Sequence, residues 1–197
     1  MKLPLRFSYS FVEPIKRHRA FVRFIVCIIG VCIFCAILAG IKYNKSSLLL
    51  SFSNIAVVKY LRDSTSFSAM LFSNIFSVCI FAIIIMCSCR KKYTISIGIF
   101  FYAYYVYAQA LTLIAFVLEY GIINTFVIAF CMLMSTCIMT FLLLHLFLIC
   151  LEIQCECTYF KLLLPSCFPV IFCIFGVLLA ENMIFFVLRN YVILLVY

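Results

Sequence analysis

Glu181 is the residue most able to do chemistry, because it stands inside an apolar run from about Leu162 to Arg189. An acid at that depth of a membrane span is an ion or proton site by default. The alternative is a carboxyl group kept neutral or hydrogen-bonded to a neighbouring helix. A second group lies earlier: Tyr102, Tyr105, Gln109 and Thr112 are spaced three, four and three apart, which places them on one helical face. Four polar tips near the middle of a span should face protein, either as a hydrated path or as hydrogen bonds between helices. Gln109 comes close to the depth of Glu181, and Asn182 is adjacent to it in sequence. His145 does not: at 1.5 Å per residue it lies roughly 9 Å from one end of its run, against roughly 28 Å for Glu181. It reads as a packed or interfacial histidine.

Cys87 and Cys89 together with Cys155 and Cys157 could supply four thiolates to a metal. Zinc sites usually space their paired cysteines by two or more residues rather than one, and a chain with 13 cysteines produces such pairs by chance. Cysteines at the span ends could instead accept lipid, a weaker signal still. No Gly-rich phosphate loop, Ser/His/Asp triad or pair of His ligands one turn apart is present. The expectation is a noncatalytic protein with no metal and no cofactor.

The elements that must position these residues follow from composition. Of 197 residues, 69% are hydrophobic and 11% charged, whereas a soluble domain carries about 25% charged residues. With a mean hydropathy of +1.30, the chain reads as an all-α, polytopic membrane helix bundle of about five transmembrane helices. Its net charge of +9 lies in short clusters beside apolar runs, a pattern that suits anionic lipid headgroups and the bilayer rather than nucleic acid. Most cysteines sit inside the apolar runs, where Cys behaves as a small hydrophobe.

Residues 1–23 form a basic arm, and residues 24–197 a transmembrane domain. The first run, Phe24 to Gly40, reads as an uncleaved signal anchor, and its Cys32, Ala36 and Gly40 make a strip of small side chains. That strip either admits another helix or faces lipid. Ile41 to Phe67 is a long outer loop, read as an interfacial helix. A second run, Ser68 to Ser88, leads into Arg90, Lys91 and Lys92, a basic turn that fixes the topology because short cationic loops stay cytoplasmic. The third run is Thr94 to Leu118, and Glu119, Gly121 and Asn124 turn the chain outside. Thr125 to Leu151 is the fourth run. An inner loop from Glu152 to Lys161 precedes the fifth run, which carries Pro165 and Pro169 in its first turns and should kink there. Tyr191 to Tyr197 is too short to cross again and should lie at the outer interface. Ten Lys and Arg then fall inside against five outside, of 15 in all, which puts the amino terminus in the cytoplasm and the carboxyl terminus outside the cell membrane.

At Glu181 the pattern resembles a known family. A His-containing basic arm (His18) precedes the first span, and a long outer loop follows. Gly121 is followed by Ala129 and Phe130 in the fourth span, and Gly176, Val177 and Leu178 lead to Glu181 in the last. In these features the chain resembles a divergent member of the stage II sporulation protein M family. Two departures are the missing Pro after Glu181, as far as Arg189, and the Arg90 to Lys92 turn where that family has Gly and Pro. The resemblance implies a noncatalytic scaffold in the complex that remodels peptidoglycan during engulfment in sporulation, with membrane-anchored cell-wall hydrolases as partners. A transporter or permease subunit, using the Tyr102, Tyr105, Gln109 stripe and Glu181, is the alternative.

Overall fold

A computed structural model of the chain describes residues 13–42, 66–120, 122–154 and 159–196. Among them run the helices α1 (Glu13–Arg17), α2 (Arg19–Lys42), α3 (Phe67–Ser88), α4 (Ile95–Tyr120), α5 (Ile122–Ile153) and α6 (Tyr159–Val196), with no strand. Five of them are long and apolar enough to cross a membrane. The protein is an all-α, multi-pass membrane bundle. The outer loop lies outside the described residues, apart from its first two and last two, as do Cys155 and Cys157.

Local chemistry sets the helix ends. Ser66 is extended, and its Oγ accepts the Ala69 N–H at 3.3 Å, capping α3. At the other end of α3 the basic turn closes tightly: Cys89 N–H donates to the Ile85 carbonyl at 3.1 Å, and Thr94 N–H to Lys91 at 3.0 Å. Thr94 Oγ1 lies 2.6 Å from the Ser88 carbonyl and 2.8 Å from that of Lys91, so its one proton can serve either. Arg90, Lys91 and Lys92 stay exposed. The turn folds α4 back along α3, and Gly98 allows the close approach: a Cβ there would run into Ser88 Oγ and into the Phe147 ring of α5.

The core sits on α5. Nine consecutive residues, Leu142 to Cys150, are buried on every side, and α5 touches α1, α3, α4 and α6. A helix apolar all round belongs in such a place. Phe21 meets Phe147 with ring centroids 5.3 Å apart, Arg17 reaches Glu152 at 3.8 Å, and the Cys150 and Cys167 thiols face each other at 3.9 Å. These contacts, with Gly98 and Ser88 against Phe147, gather α1, the start of α2, the α3–α4 turn, the end of α5 and the start of α6 at one end of the bundle. Large apolar side chains such as Phe34, Phe72, Phe100 and Phe172 point outward, as lipid requires.

The strip of small residues on α2 faces protein. Ala36 packs with Leu111 and Ala115 of α4, and a Cβ on Gly40 would lie 2.6 Å from Ile114 Cγ2. Lipid supplies no hydrophobic drive between helices, so close packing of this kind is what joins α2 to α4.

Three boundaries differ from the sequence reading. The basic arm is helical from Glu13, and its last residues already belong to α2. α4 runs to Tyr120 and α5 starts at Ile122, so Glu119 and Asn124, read as turn residues, belong to helices. The last helix starts at Tyr159, which puts Pro165 and Pro169 in its second and third turns, and it runs past Arg189 and Tyr191 to Val196. A missing proline N–H removes one helix hydrogen bond, and α6 continues through both.

Gly40→Val should destabilise the bundle by about 1–3 kcal/mol, the usual cost of overpacking. Gly30→Val should be near neutral, because a Cβ at Gly30 meets nothing within 4 Å. Unfolding titrations of both variants in mixed micelles measure the difference.

Candidate functional site

Each of the four helices α3 to α6 turns one short polar face towards a common cavity. Asn74 and Ser77 come from α3, Tyr105 and Gln109 from α4, Ser135 and Thr136 from α5, and Glu181 from α6, with Val78, Met139 and Leu178 as apolar walls. Residues three or four apart share a helical face, which is how Tyr105 with Gln109 and Leu178 with Glu181 reach the same space. That space offers about 10 Å³ to the centre of a water molecule, room for roughly one.

A chain of amide hydrogen bonds closes one side of it. Asn182 Nδ2 donates to the Leu178 carbonyl one turn back at 2.6 Å, and Asn74 Nδ2 donates to Asn182 Oδ1 at 3.0 Å. Asn74 is 3% exposed and Asn182 fully buried. Asn74 Oδ1 is buried with no hydrogen-bond partner, and Ser135 lies within hydrogen-bonding reach of Glu181 in the same lining.

Ser135 and Glu181 also form part of a second space. An apolar groove of about 230 Å³ runs between α5 and α6, lined by Phe130, Met134, Ile138, Val177, Ile184 and Phe185 among others. Glu181 therefore stands in the wall between a polar interior and a groove on the flank of the bundle.

Of the residues singled out from sequence, Glu181, Gln109 and Tyr105 line one cavity. Tyr102 and Thr112 are buried but bonded elsewhere: Tyr102 donates its hydroxyl to the Thr140 carbonyl at 3.0 Å, and Thr112 to Ala108 of its own helix at 2.8 Å. Half of the polar stripe thus joins helices or satisfies itself. His145 is buried and lines neither space; its ring lies 6.4 Å from that of Phe141, nearly parallel. The sequence reading missed Asn74, Ser77 and Thr136. Asn74 left one legible signal, as the single amide within the apolar run of α3, where an unpaired amide would be expensive.

The lining groups are oxygens and amides. Such a set can hold a water or a small cation, and the carboxylate can exchange a proton. No group of three or more His, Cys, Asp or Glu side chains suited to a metal ion occurs among the described residues. No family model, curated protein or solved structure matches the chain.

A double-mutant cycle on Asn74→Leu and Asn182→Leu should give a coupling energy of roughly 0.6–1.7 kcal/mol, the range of hydrogen bonds between membrane helices. Additive effects in the same micelle titration would show that the two amides do not tie α3 to α6.

Proposed function

We propose that the protein is a noncatalytic membrane scaffold that positions extracytoplasmic partners, with its amino terminus in the cytoplasm and its carboxyl terminus outside. The observation that carries this reading is how the two spaces are distributed. The interior cavity has room for one water-sized occupant, while the larger space opens sideways between α5 and α6. A route for solutes needs room along the bundle, whereas a scaffold needs surface towards its neighbours. The resemblance to the stage II sporulation protein M family names the partners as membrane-anchored cell-wall hydrolases, met through residues 41–67. For the orientation, the support is the cluster of exposed Lys16, Arg17, Arg19, Arg23, Arg90, Lys91 and Lys92 at one end of the bundle, in keeping with cationic loops staying cytoplasmic.

Affinity purification of the tagged protein from membranes tests the scaffold. Cell-wall hydrolases should co-purify, disappear when residues 41–67 are replaced and persist in Glu181→Gln. For the orientation, an alkaline phosphatase reporter should be active when fused after Tyr197 and inactive when fused after Lys92; the reverse pattern inverts the topology.

The second reading, a permease subunit, draws on the chemistry of the cavity rather than its size, since an acidic residue and several neutral polar residues line it together. Recovery of an ATPase instead of hydrolases, with transport abolished by Glu181→Gln, would favour it.

A further inference from the structure

The orientation of one amide decides what the cavity lacks. The Leu178 carbonyl can only accept, so the atom of Asn182 that meets it at 2.6 Å must be the amide nitrogen. Asn182 Oδ1 then faces α3, and it can be met there only by a donor, which fixes the Asn74 nitrogen at 3.0 Å. The Asn74 oxygen is left over. It is buried in a residue 3% exposed that lines the cavity, and it has no hydrogen-bond partner. Ser135 stands in the same lining, within hydrogen-bonding reach of Glu181. Buried acceptors in native proteins are nearly always satisfied, so the Asn74 oxygen calls for an occupant that is electron-poor.

We propose that the cavity between α3, α4, α5 and α6 binds one small monovalent cation of the sodium class, held by Asn74 Oδ1, Ser135 Oγ and the Glu181 carboxylate. Three features select that chemistry. The lining offers hard oxygen ligands and contains neither His nor Cys, so it suits an alkali or alkaline-earth ion rather than a transition metal. Glu181 is the single acid in the lining, which holds no Lys or Arg. One monovalent ion therefore neutralises the site, whereas a divalent ion would leave a net charge buried within the bilayer, where charge is costly. The space matches a single water-sized body, which favours the smaller of the two common monovalent cations once its hydration shell is exchanged for protein oxygens. The site stands on this geometry and is independent of the scaffold reading.

The test is thermal stability of the whole purified protein in detergent micelles, with NaCl, KCl and choline chloride exchanged at constant ionic strength. A ligand that binds only the folded form raises Tm in a saturable way. Sodium should do so, potassium less and choline not at all, and radiolabelled sodium should bind at one ion per chain. Glu181→Gln keeps the shape and removes the charge, so it should weaken the apparent sodium affinity by roughly tenfold or more. Ser135→Ala removes one proposed oxygen ligand and leaves the Glu181 charge in place; it should weaken the affinity in the same direction, and it serves as the test if Glu181→Gln does not fold. Equal Tm in the three salts would mean that the cavity holds water alone and would overturn the proposal. So would a sodium effect that survives both substitutions unchanged.

Discussion

Close packing around α5 is the constraint on which the rest of the structure depends. Between helices in lipid there is no difference in hydrophobicity to drive association, so contact area, small residues and polar pairs must hold them together. Leu142 to Cys150 answers this by being covered on all sides. Phe147 alone meets Phe21 of α2 and lies against Gly98 of α4. Remove that helix and α1, α3, α4 and α6 lose a shared neighbour.

The polar cavity lies at the other half of the same helix. Ser135 and Thr136 stand about two turns before the wholly buried stretch. α5 is thus wholly buried towards one end and lines a polar cavity towards the other. The Asn74–Asn182 pair joins α3 to α6 beside the cavity, so the side chains that hold the helices in register also orient the lining. Interhelical hydrogen bonding and a polar cavity are here parts of one arrangement.

The spans were legible because composition and length leave few choices: an apolar run of about 20 residues becomes a transmembrane helix whatever its neighbours do. Helix ends were less so. Polar residues at Glu119, Gly121 and Asn124 suggested a loop, yet Glu119 and Asn124 belong to helices, since a backbone near the membrane surface keeps its hydrogen bonds by staying helical. For the site, period alone grouped Tyr105 with Gln109, and depth alone associated them with Glu181. Neither could separate Tyr102, whose hydroxyl finds a carbonyl of α5, from Tyr105, one turn away. Asn74 stood out as a lone amide, but its partner was out of reach because it lies 108 residues further along the chain, a pairing that no local pattern encodes.

The position of α5 in chain order carries a consequence for how the protein is made. While the ribosome is still adding residues, α2, α3 and α4 can already associate through the α2–α4 strip and the α3–α4 hairpin. What they form is an incomplete shell, because the helix that fills its centre is the fourth to cross and α6 the fifth. Until the fourth span is made, the faces of the first three that α5 covers in the finished bundle have no protein partner from it. A nascent chain that stalls before Ile122 would present those faces, Tyr102 and Tyr105 among them, to whatever quality-control protease patrols the membrane.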